Sequence, residues 1–316
     1  MIICRGVAFV GCSLWQLKEN SKHWKVTMIT KWQNCRIPIK GRYLVTGAVI
    51  ALFLLIGHVN AGVLVAPTVV FMDEHKRTGR ITVQNPSDEP REVTIRMSFG
   101  LPTSDSLGNV FVNLQDSGIT DVKAATSWVK PFPRKMLLEP GATQVVRFVA
   151  RPPKDLVDGE YWARVVVTSQ EGITSLPNPT GEGQISTVLN MIMQTAIMLK
   201  YRQGDQIAHV KLNGVEASQE DTLVSVIVDL SSTGNASYVG LMHCRLFNSD
   251  KQEIGYRRFD LAVYRDLKRR VTFPIASYMN GGPYSFELFI TPNGRKDIAA
   301  EYLIRGNDIE YSTVVP

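Results

Sequence analysis

Three groupings in this sequence hold residue types that could do chemistry. Asp73-Glu74-His75 offers two carboxylates beside an imidazole, the ingredients of general acid–base catalysis. They stand where a first hairpin turns between valine-rich runs, which reads as a solvated loop. His243-Cys244 offers a nitrogen and a thiol, both zinc ligands. Adjacent residues on a strand point to opposite faces, so the two cannot share one ion. Cys244 has the parity of Met242 and Leu246, as a buried inert thiol does. The cationic runs Arg257-Arg258 and Lys268-Arg269-Arg270 flank an apolar strand and read as solvated ends, with at most a weak contact to anionic lipid or a partner. No G-x-S-x-G, no H-E-x-x-H and no glycine-rich phosphate loop leading into a helix occurs. The pattern points away from an enzyme and implies neither cofactor nor metal.

Composition narrows the class further. The 316 residues are 44% hydrophobic and 20% charged, values of a globular chain. The net charge of +6 is unevenly spread. Residues 1–61 hold eight Lys/Arg and a single acid, Glu19, leaving 27 bases against 28 acids in the rest. A near-neutral body makes no phosphate-tracking surface, which excludes nucleic-acid binding. Cys4, Cys12 and Cys35 precede residue 61, and Cys244 alone follows, so the body has neither an internal disulfide nor a thiolate metal cage.

The basic N-terminus belongs to export. The apolar stretch Leu44–Gly57 has 14 residues and follows Lys31, Arg36, Lys40 and Arg42. That is short of the ~20 residues of a membrane span and matches a signal-peptide core. Val59 and Ala61 supply the small residues before a cut at Ala61/Gly62. An uncleaved signal would be the only membrane attachment, and in either case the body is exported. Met28 begins a signal of ordinary length, 28–61, and 1–27 reads as an upstream extension or mis-called start.

Stepping past the leader, residues 62–316 carry short runs rich in β-branched and aromatic residues, bounded by Gly, Pro, Asn and Asp. No segment sustains a 3.6-residue apolar period. The spacing predicts an all-β protein of two tandem immunoglobulin-like sandwiches, about seven strands each, split near Gly204 into 62–203 and 204–316. Residues 100–126 read as a large polar loop with one weak strand at 110–114. The segment 187–199 is unusual. One parity carries Leu189, Met191, Met193, Ile197 and Leu199, and the other Val188, Ile192, Ala196 and Met198. Apolar side chains on both faces fit either a central strand buried on two sides or an edge strand whose second face is kept for a partner.

Several pieces, in order, resemble the periplasmic pilus-assembly chaperones, the PapD-like proteins. They are the hairpin VAPTVVFMDEHKRTGRITVQNPSDEPREV (65–93), KPFPRKMLLEPGATQVVRF (130–148), EYWARVVV (160–167) and STVLNMIMQTAIMLKYR (186–202). The resemblance implies a non-enzymatic periplasmic chaperone for fimbrial or other surface-structure subunits. In that family the last strand of the first domain is lent to a pilin-like subunit with an incomplete β-sandwich, for delivery to an outer-membrane usher. Leu189, Met191 and Met193 fall on the donor positions, each offering about 1.5–3 kcal/mol on burial. Glu160 and Arg202 fall on an inter-domain ion pair; the third member, an aspartate, finds only the uncharged Asn280 nearby. The family's two cations that anchor a subunit's terminal carboxylate fall on Val69 and Met198, both apolar, with Lys200 as a possible substitute. The resemblance therefore implies a divergent member. The alternatives are an envelope adaptor of the same fold that donates no strand, and an immunoglobulin-like surface- or carbohydrate-binding module.

Overall fold

The computed structural model describes residues 62–172, 191–220, 222–275 and 282–315. The signal at 28–61, the extension at 1–27, Leu189 and Asn280 lie outside the described residues. The described chain is all-β and immunoglobulin-like. One sheet runs in the order β1 (Leu64–Ala66), β3 (Thr78–Gln84), β9 (Thr143–Ala150), β7 (Val129–Phe132). The facing sheet runs β2 (Val69–Asp73), β11 (Met193–Gln203), β10 (Gly159–Glu171), β4 (Arg91–Ser98), β8 (Lys135–Leu138). Between them Ile81, Val83, Val146 and Phe148 of one sheet meet Val93, Ile95, Val165 and Leu199 of the other in a closed core. A second sandwich faces β12 (Val210–Glu220), β13 (Leu223–Ser232) and β16 (Asp266–Pro274) against β15 (Glu253–Val263), β14 (Tyr238–Phe247), β17 (Tyr284–Thr291) and β18 (Ile309–Val315). Alternation explains it: along β13, Val224, Val226, Val228 and Leu230 point inward and are fully buried.

The first sandwich has nine strands where the sequence predicts about seven. Two prolines account for the difference. Proline has no N–H for a ladder and is excluded from a continuous central strand. At Pro67 the first strand breaks, so that β1 joins one sheet and β2 the other. At Pro133 the segment 129–138 breaks in the same way into β7 and β8. The reading of 100–126 as a loop with one strand also needs correction. It forms a small hairpin, β5 (Pro102–Ser104) paired with β6 (Val110–Val112).

A buried side chain ties this sandwich's turns together. The Asn85 amide donates to the carbonyl oxygens of Glu89 at 2.8 Å and Leu138 at 3.0 Å, and its oxygen accepts from Ser87 N at 3.0 Å. Asn85→Ala leaves buried carbonyls unpaired, at about 1–3 kcal/mol for each group stranded. In the chain beginning at Gly62 the two tryptophans, Trp128 and Trp162, both lie in this sandwich, so their fluorescence during urea unfolding reads it selectively. The expected result is a loss of at least ~2 kcal/mol; an unchanged midpoint would contradict this role for Asn85.

Candidate strand-binding edge and the cleft beside it

Strand β11 has two different halves. It pairs antiparallel with β10 along its whole length, from Met193↔Ser169 to Gln203↔Gly159. On its other side β2 pairs with it in parallel, but only from Met198↔Val69 to Arg202↔Asp73. Beyond that point the first strand has crossed to the opposite sheet at Pro67. Residues 193–197 therefore have no strand on that side among the described residues. Their main-chain groups form an open edge.

The side chains of one parity continue from the core to this edge. Ile197, Leu199 and Tyr201 are buried among the sheets. The same row runs back through Thr195 to Met193, 39% exposed, and Met191, 45% exposed. Met193 lays its thioether over Gly62, which has no Cβ to obstruct it. The strand reads 187–199 in the sequence; in the structure β11 begins at Met193, and Met191 sits just ahead of it.

At the far half of β11, Val69 and Met198 are register partners on neighbouring strands. Neither carries charge, and the space they face is largely apolar, with the guanidinium of Arg164, the partner of Met198 on β10, donating to Gly100 O at 2.9 Å. Met198, Phe99, Trp162 and Tyr264 form a buried cluster, with Trp162 and Tyr264 edge to face at 5.2 Å. Tyr264 belongs to the second sandwich, so the cluster spans the cleft between the two.

Next to it lies a charged network with almost no solvent. Glu160 is 0% exposed and Lys200 2%. Glu160 Oε1 accepts from Lys200 Nζ at 3.0 Å, from Trp162 Nε1 at 2.7 Å and from the Ser237 hydroxyl of the second sandwich. Glu160 Oε2 accepts from Arg202 Nε at 3.1 Å. Arg202 also donates to the carbonyl oxygen of Tyr302 at 2.8 Å, and its guanidinium lies 4.9 Å from the centre of the Phe71 ring. Phe71 and Tyr302 stack in parallel at 4.4 Å. Burial by itself would raise the Glu160 carboxyl. The cations of Lys200 and Arg202, with hydrogen bonds from Ser237 and Trp162, outweigh it and bring the group down to about 2. Lys200 is thus committed: its ammonium serves Glu160 and Ser237 and lies 5.0 Å from the centre of the Tyr264 ring. As a substitute anchor it would need to be a free cation facing the cleft, and it is not presented in that way.

Ser237, Trp162 and Tyr302 escape a reading of the sequence because their partners are remote or on another sandwich. The signal that existed was the pair of opposite charges, Glu160 and Lys200, each set inside an apolar strand. The other groupings stand apart from this site. The Asp73 carboxylate accepts from the amides of His75 at 2.8 Å and Lys76 at 2.6 Å, a plain turn. Cys244 is fully buried in the second core, where burial pushes its thiol up to about 12. His243 points outward, its Nδ1 2.7 Å from the Tyr256 hydroxyl. The run 268–270 is not a solvated end, since Arg270 N donates to Gly108 O at 3.0 Å and Lys268 N to Ser104 Oγ at 2.7 Å.

Among solved structures the chain is similar to the YadV chaperone, at 12% identity and a TM-score of 0.40 over 81% of this chain and 100% of that one. It is similar to the class 5 fimbriae chaperone CfaA at 13% identity and a TM-score of 0.37, over 81% and 99%. A third is the CupB2 chaperone of Pseudomonas aeruginosa, at 11% and 0.36 over 80% and 100%. No family model matches the chain, and no curated protein does.

The Glu160 network sets a pH dependence. A carboxyl held at about 2 when folded and 4.5 when unfolded stabilises the fold fully above 4.5. That contribution drains as pH falls through this window and is gone below about 2. Glu160→Gln leaves the Lys200 ammonium buried without a counter-charge, and is expected to cost about 3–5 kcal/mol at neutral pH. It should also flatten the loss of stability expected of the parent between pH 4.5 and 2. Parallel acid-unfolding curves for parent and variant would contradict this assignment.

Proposed function

We propose that this protein is an exported, non-enzymatic chaperone of the periplasm that holds a surface-structure subunit by lending it the edge of β11. The observation that supports this most is the open stretch 193–197, whose unpaired edge coincides with a row of half-exposed methionines. A partner with an incomplete β-sandwich, such as a pilin-like subunit, supplies what the edge lacks. Its strand takes the free amides and carbonyls, while its open groove receives Met191 and Met193 and, by sequence parity, Leu189. Each buried methionine contributes about 1.5–3 kcal/mol, and its unbranched, polarizable side chain adapts to an irregular groove. Pairing also removes an edge that would otherwise invite aggregation. Delivery to an outer-membrane usher completes the proposed cycle, with export through 28–61.

The test is co-expression in the periplasm with a strand-deficient pilin-like subunit. The parent is expected to co-purify with it, and Met191→Asp to recover at least tenfold less. An exposed side chain adds little to its own domain, so the stability of the variant should stay within about 0.5 kcal/mol of the parent. A large loss of stability would show that Met191 is core, and undiminished capture would show that the edge is not what the partner reads.

A further inference from the structure

Residues 99–126 leave the first sandwich after β4 and return to it before β7, and in between they touch both sandwiches through main-chain groups. On the first, Gln115 O accepts from the Ser98 hydroxyl of β4 at 3.0 Å, and Gly100 O from Arg164 Nε of β10 at 2.9 Å. Trp162 N donates to Lys123 O, and Ala125 N to Trp162 O, each at 2.8 Å. On the second, the tip of the β5–β6 hairpin lies on β16. Gly108 O accepts from Arg270 N at 3.0 Å, Leu107 O from Arg270 Nε at 2.7 Å, and Ser104 Oγ from Lys268 N at 2.7 Å. Asp121 pairs with Arg265. Gly108 has φ +76°, and a Cβ there would stand 2.6 Å from Arg270 N, so docking of this tip requires glycine.

The segment also packs into the cleft. Leu101, Ile119 and Ala124 pack on the cluster of Phe99, Trp162, Met198 and Tyr264. We propose that residues 99–126 are an internal plug, which takes up the inter-sandwich cleft so that a partner strand is read along 191–197 alone and its chain end is not received there. This rests on the proposed strand-lending function. Three features of the cleft support it. A partner strand extending past Ile197 meets β2, which already holds that edge from Met198 to Arg202. The cation beside Met198, its register partner Arg164, already donates Nε to Gly100 O of this segment at 2.9 Å, so a carboxylate entering there would have to displace the segment or be buried unpaired at a real desolvation cost. Lys200, two residues along from Met198, is spent on Glu160 and Ser237, and Arg202 on Glu160 and the carbonyl of Tyr302.

Two readouts on the chain beginning at Gly62 test this. In a Trp128→Phe background Trp162 is the sole tryptophan, and it is 4% exposed. The plug is expected to shield it from acrylamide in the parent, with quenching rising several-fold in Gly108→Val and in Ile119→Asp. The second readout uses a decapeptide of alternating valine and serine, as free acid and as amide, which should bind the parent equally within twofold. Equal quenching in the parent and both variants would overturn the plug, and so would a free acid bound at least tenfold more tightly than the amide. Indifference of both peptides to Met193→Asp would overturn strand lending instead, while the quenching still decides the plug by itself.

Discussion

Pro67 has no N–H to give to a ladder, and the chain that enters at Leu64 changes sheets there, leaving β11, among the described residues, with a neighbour along only half of one side. A sandwich in which the first strand stayed beside β11 would have closed that edge. Because it does not, the apolar row that packs the core at Ile197, Leu199 and Tyr201 runs out into solvent at Met193 and Met191. The same residues thus serve two ends. Farther along the strand they hold the sheets together, and nearer its start they form the half-exposed edge that the proposed function lends to a partner.

The orientation of that edge depends on what lies at the other end of β11. Glu160, Lys200 and Arg202 are charges on neighbouring strands of one sandwich, and Ser237 and Tyr302 carry them across to the other. A buried ion network is weak evidence of stability, because desolvation offsets most of the attraction. Its value here is directional, since Glu160 Oε1 accepts from Ser237, and Arg202, held by Oε2, donates to Tyr302 O, partners that only one arrangement of the sandwiches supplies. The hairpin on β16 and the aromatic cluster around Trp162 act to the same end from the opposite side of the cleft.

Much of the fold was legible because alternation and turn chemistry agree. β9 and β14 occupy the very residues that their valine-, leucine- and aromatic-rich runs mark, 143–150 and 238–247. The second sandwich, where no resemblance helped, was just as readable as a run of strands. Proline was visible, but its effect on topology was not: that two strands would each split between sheets depends on where the sheets lie, which no local window contains. The apolar character of both faces of 187–199 was likewise ambiguous. An apolar face left half-exposed and an apolar face turned to the Trp162–Tyr264 cluster look the same in a sequence, and β11 has one of each. The docking of 104–108 on β16 left no trace at all. It uses backbone groups, a serine and a glycine, across some 160 residues of chain.

The most direct test of the open edge is residue-resolved amide hydrogen exchange on the isolated protein. Along 193–197, the amides facing β10 should be protected and those facing the vacated side should exchange fast, so that protection alternates. From Met198 to Arg202, where β2 closes the edge, protection should be continuous. Addition of a captured subunit should then protect the fast set. Uniform protection of 193–197 in the isolated protein would show that the edge is already occupied, and would contradict the account.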